Sequence, residues 1–186
     1  ISSTSGIIPP LNSKKYFLTF HPDTVGLMSA NFIFTHDAVS SPDTLSVAGN
    51  GIIPLINFDT TYLYFDSVNI HTSKKDSFLV TNSGAATLVI SSITSSNSVF
   101  TISPINFSLL PSASRYVKIT FSPVLAQLYS SSIILSHNSA SNPDTIVVSG
   151  NGVVPVINVS TSPLEFGFVN IHTAKRESVL VKNTGT

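Results

Sequence analysis

The chain has 186 residues, a formal net charge of zero, 42% apolar residues and only 10% charged ones. That is enough apolar material for a core, while the charge content is far below the roughly 25% of an average soluble domain. No cysteine is present, which excludes disulfides and thiolate metal sites, and no basic cluster suggests a nucleic-acid partner. No run of 18 apolar residues occurs, so no membrane-spanning helix is expected. Ser, Thr and Asn supply most of the polarity, a composition suited to surface strands and turns. The chain opens at Ile1 and shows no signal-peptide pattern; a removed leader or an internal piece of a longer protein would each account for that start, and the internal piece is the expected reading.

In chain order, residues 1–51 first show an alternating stretch, Tyr16-Phe17-Leu18-Thr19-Phe20, and then Phe32, Ile33, Phe34 and His36 before Gly49-Asn50-Gly51. From Leu55 the signals become regular. Leu55–Phe58 and Leu63–Val68 read as first strands, separated by Asp59-Thr60-Thr61. Ser77–Thr81 follows, with Phe78 and Val80 on one face, and Asn82-Ser83-Gly84 supplies a turn. Leu88, Ile90 and Ile93 carry the next strand; Phe100 and Ile102 carry another, stopped by Pro104. Tyr116–Phe121 alternates, with Val117, Ile119 and Phe121 on one side. Ser131, Ile133 and Leu135 mark a further strand, His137–Pro143 a polar loop, and Ile146 and Val148 the last strand before Gly150-Asn151-Gly152.

The stretch Gly49–Pro54 returns as Gly150–Pro155, an offset of 101 residues. Held without gaps, that offset makes about 36 of roughly 85 aligned pairs identical, the mark of an internal repeat. The expected organisation is the C-terminal half of a repeat in 1–51, one complete unit in 52–152, and the N-terminal half of a further repeat in 153–186. Together the flanking halves lack the equivalents of Ala86–Thr101. No window has a helical period. Seven or so short strands in roughly 100 residues predict an all-β chain of tandem immunoglobulin-like sandwiches. Half a sandwich exposes half a core and a row of unpaired backbone groups. The missing half is therefore expected either from more of the same polypeptide or from a neighbouring copy, paired through β-sheet edges. The short apolar junction Gly51–Pro54 is expected to limit bending between units.

The order and spacing of Leu63-Tyr64-Phe65-Asp66-Ser67-Val68, Val80-Thr81-Asn82-Ser83-Gly84, Leu88-Val89-Ile90, Phe100-Thr101-Ile102, Leu110-Pro111-Ser112, Ile119-Thr120-Phe121-Ser122-Pro123 and Val148-Ser149-Gly150-Asn151-Gly152 resemble the ASH-type (abnormal-spindle/hydin) immunoglobulin-like domain. This family lies close to the MSP and PapD-like sandwiches and includes bacterial choice-of-anchor D repeats. Leu164-Glu165-Phe166-Gly167-Phe168-Val169 and Val181-Lys182-Asn183-Thr184-Gly185 match it too. His71, His172, Asp66 and Ser112 stand where the family usually has glycine, which bears on turn geometry. The resemblance implies a scaffolding role without catalytic residues: ciliary or centrosomal attachment in eukaryotes, surface or secreted multidomain proteins in bacteria.

Few residues suggest chemistry. His36 and His137 recur at one repeat position and His71 and His172 at another, which reads as turn or surface histidine rather than a converging zinc site. The loops Asp37–Asp43 and Asn138–Asp144 carry oxygen-bearing side chains, but too few for calcium, and read as Asx or proline turns. No G-x-S-x-G elbow, triad or phosphate loop is present. Lys74-Lys75 and Lys175-Arg176 precede Asp76 and Glu177 and read as solvated strand ends. Asn106-Phe107-Ser108 and Asn158-Val159-Ser160 fit the glycosylation tripeptide, which matters only in a secretory host. No catalytic residue, cofactor or metal is expected. The expected role is a structural repeat of an extracellular or cell-surface protein (stalk, adhesin shaft or filament), the alternative an intracellular attachment module that binds a protein partner.

Overall fold

The computed structural model describes residues 5–160 and 163–185. The chain divides into two compact units, Ile1–Ile53 and Pro54–Thr186. The first contains one antiparallel hairpin, β1 (Gly26–Phe34) and β2 (Asp43–Gly51).

The second unit contains a two-sheet sandwich. Its strands are β3 (Ile56–Phe58), β4 (Tyr62–Asn69), β5 (Lys74–Asn82), β6 (Leu88–Ser95), β7 (Phe100–Ser103), β8 (Phe107–Leu109), β9 (Ser114–Phe121), β10 (Leu128–His137) and β11 (Asp144–Val153). They form a five-stranded sheet in the order β4-β11-β10-β6-β8 and a four-stranded sheet in the order β3-β5-β9-β7. Up to β9 the chain changes sheet at every strand, so most ladders join residues far apart in sequence. The β4 strand enters by pairing parallel to β11, and the other ladders are antiparallel. A further hairpin, β12 (Ile157–Val159) with β13 (Val181–Asn183), follows the sandwich.

Period-two alternation places Phe65, Phe78, Phe100, Phe121, Ile133 and Val148 in one buried cluster between the sheets. The Phe121 ring stacks on Phe100 at 4.8 Å between centroids and meets Phe65 at 5.7 Å. Gly150 is required at this point. A Cβ built on it falls 2.6 Å from the Phe121 ring, so a side chain would expel that ring.

Nine strands build the sandwich where the sequence suggested seven or so. The strand not foreseen in sequence is β8, three residues between Pro104 and Pro111, which pairs with β6 through Leu88↔Leu109 and Ile90↔Phe107. The β10 strand also runs to His137, one residue into the segment read as a loop.

Asn82 closes one end of the sandwich. It is buried; its Nδ2 donates to Ala86 O at 2.8 Å and Leu109 O at 3.0 Å, and its Oδ1 accepts from Gly84 N at 3.0 Å and Leu55 N at 3.4 Å. One side chain thereby satisfies backbone groups next to β3, β6 and β8 that the ladders leave open.

The non-glycine residues at the family's glycine positions adopt the left-handed region that glycine would favour. Asp66 has φ 54°, His71 62° and Ser112 64°, and their equivalents Gly167, His172 and Leu11 have 60°, 60° and 63°. A Cβ in this region costs about 1–2 kcal/mol, and the extra freedom of glycine in the unfolded chain offsets part of that gain. His71→Gly and Ser112→Gly are each expected to stabilise the fold, by up to about 1 kcal/mol, read as a higher urea midpoint at unchanged slope. Asn82→Ala strands buried backbone groups and is expected to cost about 2–3 kcal/mol in the same titration.

Candidate functional site

His137 ends β10 and holds a turn, one of the two roles expected of it, but with its side chain fully buried and not at the surface. Its Nδ1 accepts from Ser139 N at 3.1 Å and its Nε2 lies 3.1 Å from Asp144 Oδ2. An Nδ1 that accepts a backbone N–H leaves the proton on Nε2, aimed at the carboxylate. The same Asp144 oxygen accepts from Ser141 Oγ at 2.8 Å, and Asn142 Oδ1 accepts from His137 N at 2.8 Å. The loop Asn138–Asp144 thus uses these polar atoms to hold itself closed. The first unit repeats the arrangement, with His36 Nε2 3.0 Å from Asp43 and His36 Nδ1 accepting from Ala38 N, but His36 is partly exposed.

The remaining candidates do not converge. His71 sits exposed in the turn after β4, where its backbone N donates to Pro123 O at 3.0 Å; His172 occupies the corresponding turn. Lys74 pairs with Asp66 at 2.8 Å and Lys175 with Glu177 at 3.0 Å. Asn106 and Asn158 are both exposed. Among the described residues no group of three or more His, Cys, Asp or Glu lies close enough to hold a metal ion. Among them, too, no helix is long and apolar enough to cross a membrane.

What the structure does present is uncovered core. In the first unit Phe20 is 51% exposed, whereas its repeat equivalent Phe121 is 0% exposed. Phe34 and Leu45 are exposed where Leu135 and Ile146 are buried. After the sandwich, Phe166 is 45% exposed against 0% for Phe65, and Val179 and Val181 are exposed against fully buried Phe78 and Val80. Two open hollows, about 520 and 260 Å³, mark the face in the first unit; Tyr16, Phe32 and Phe34 line the larger, Phe20, Met28 and Val47 the smaller. Residues 16–20 and 163–169 carry the alternation of β9 and β4 but form no ladder. The pattern alone does not make a strand; the neighbouring strand's backbone must accept and donate the hydrogen bonds.

The partial copies keep the geometry of the complete sandwich where their own residues suffice. The β1–β2 register, Leu27↔Asn50, is that of β10–β11, Leu128↔Asn151, moved by the repeat offset. The β12–β13 register, Ile157↔Asn183, is likewise that of β3–β5, Ile56↔Asn82. Asn183 Oδ1 accepts from Val156 N and Gly185 N, as Asn82 Oδ1 does from Leu55 N and Gly84 N.

A family model described as the HYDIN/CFA65/VesB-like, Ig-like domain matches residues 54–151. No curated protein matches the chain. Among solved structures, the ASH/PapD-like domain 7 of human CEP192 is similar, with 14% identity over 52% of this chain and 84% of that chain and a TM-score of 0.48. A protein of unknown function from Porphyromonas gingivalis W83 is similar with 17% identity over 70% of this chain and 68% of that chain, TM-score 0.49. The Vibrio cholerae VesB protease is similar with 17% identity over 52% of this chain and 31% of that chain, TM-score 0.40. The family match covers more than half of the 186 residues and coincides with the two-sheet sandwich, so the chain belongs to the HYDIN/CFA65/VesB-like immunoglobulin-like family and carries an ASH-type sandwich.

Proposed function

We propose that this chain is a structural, non-catalytic repeat segment of an extracellular or cell-surface protein. It works as part of a stalk, adhesin shaft or filament, and associates with neighbouring repeats through β-sheet edges. The observation that carries this reading is the uncovered core on both partial copies, because apolar faces built from core-equivalent residues are made to be covered by matching β-structure. The low charge, the absence of cysteine and the Ser/Thr/Asn-rich surface support an exterior setting.

A second reading is an intracellular attachment module of the ciliary or centrosomal ASH type, binding a protein partner. Membership of a family whose model is named for HYDIN and CFA65 favours it. Antibodies against residues 52–152 separate the two. Immunogold label on intact, unpermeabilised cells of the source organism is the expected result; label that appears only after permeabilisation supports the second reading and overturns the first.

In both readings the histidine loops have a structural role. Their polar atoms are engaged with each other, and a bound metal would raise stability only by binding the native state. Neither EDTA nor millimolar zinc or calcium is expected to move the melting temperature, measured by calorimetry.

A further inference from the structure

The two uncovered faces carry different parts of the same repeat. We propose that residues 163–183 of one copy of this chain seat on residues 5–51 of a second copy, head to tail, rebuilding the two ladders that close the complete sandwich. This deepens the self-associating reading above and rests on it.

Within the sandwich, the segment holding β4 and β5 meets the segment holding β9 to β11 along two ladders. One is β5–β9, from Lys74↔Phe121 to Thr81↔Ser114; the other is the parallel β4–β11 pairing, including Leu63↔Val148 and Tyr64↔Ser149. Moving both by the repeat offset sets Lys175 opposite Phe20, Lys182 opposite Ser13, Leu164 opposite Val47 and Glu165 opposite Ala48. No charged residue then faces another charged residue directly along either ladder, which avoids the penalty of like charges in register. The missing equivalents of Ala86–Thr101 carry β6, on the far side of β10 from β11, and Phe100 of β7, on the far side of β9 from β5. Neither ladder needs them, although the place that the Phe100 ring takes beside Phe121 has no counterpart beside Phe20.

Side-chain volumes support the match. In the sandwich Phe78 stands opposite Val117, a large residue against a small one. At the shifted register Val179 stands opposite Tyr16, small against large. The swap keeps the pair filled, as close packing demands. Phe166 takes the place of Phe65 and meets Phe20 as Phe65 meets Phe121, while Gly49 leaves room for the Phe20 ring as Gly150 does for Phe121. Val179 and Val181 enter the hollows beside Tyr16 and Phe20.

The two faces differ, so the contact is heterologous: each copy offers one face to a neighbour and keeps the other for a further contact. Sedimentation velocity on the 186-residue chain is expected to show a concentration-dependent oligomer series. Phe20→Asp disables one face and Phe166→Asp the other. Each variant alone is expected to be monomeric, with affinity reduced at least about 100-fold by a charge placed in the apolar contact. An equimolar mixture is expected to give a heterodimer and stop there, because one intact pair of faces remains. A parent chain that stays monomeric at all concentrations overturns the proposal and points to other residues of the same polypeptide as the cover. A single variant that dimerises alone also overturns it, because the contact is then isologous. The double variant Lys14→Cys/Val181→Cys guards against misfolding of the aspartate variants. These positions face each other in the shifted register, and the chain has no other cysteine. Oxidation is expected to yield a ladder of covalent multimers on a non-reducing gel; a monomer band alone overturns the pairing. Failure of the ladder leaves the exterior-location reading standing on the surface labelling, and failure of the labelling leaves the pairing standing.

Discussion

A β-sandwich is held by the requirement that two apolar sheet faces be closed against each other. In this chain that closure centres on Phe65, Phe100 and Phe121, packed within 6 Å of one another between centroids. Burying a side chain of this size contributes about 2–3 kcal/mol, a large share of a domain's net stability of about 5–15 kcal/mol. The three rings come from both sheets, Phe65 from β4 in one, Phe100 and Phe121 from β7 and β9 in the other. Because the chain changes sheet at every strand up to β9, removing a stretch at either end opens both sheets at once. The partial copies show the consequence: the same residue types at the same repeat positions, with their apolar surfaces outward.

Polar side chains decide where the sandwich ends and where it refuses partners. Asn82 and the His137–Asp144 loop hold turns closed with buried hydrogen bonds, and an apolar replacement would leave their backbone partners unpaired. The outer edge of β4 is protected in another way. The register of its ladder with β11 shifts between Ser149 and Asn151, Asp66 stands at a positive φ, and Lys74 pairs with it. A bulge carrying charge interrupts the flat row of backbone groups to which a stray strand could add. The outer face of the five-stranded sheet bears Tyr62, Tyr64, Ile134 and Val147, all exposed.

Much of the fold was legible in the sequence, for local reasons. Alternation in Tyr116–Phe121 and Ser77–Thr81 reports burial of one face, and the 101-residue offset reports a second copy. Two features were not legible, because they depend on residues distant in the chain. Phe107–Leu109 is too short between its prolines to announce a strand, and it becomes one only because β6 presents Leu88 and Ile90 at its side. His137 looks like a loop histidine until Asp144 and Ser139 fold over it. The uncovered faces follow from the half-repeats, but the size match of Val179 with Tyr16 needed the observed register, since a slip of one residue would turn every side chain to the opposite face.

Differences between the copies show which constraint is the stronger. Asp66 corresponds to Gly167 and Ser112 to Leu11, yet each pair holds nearly the same positive φ. Of the residues at these positions, glycine adopts that conformation without steric cost, while Leu, Ser and His pay for a Cβ next to the carbonyl. No ladder flanks Leu11 or His172, yet Asn12 N donates to Pro9 O as Ala113 N does to Leu110 O, and Thr173 N to Asn170 O as Thr72 N does to Asn69 O. The conformation therefore belongs to the turn at that repeat position and not to the residue type that fills it. Phe78 and Val179 follow the same logic in the core: the side chain changes size, and the register that places it does not. In this family member the backbone frame is the invariant part of the repeat, and the side chains are adjusted to fill it.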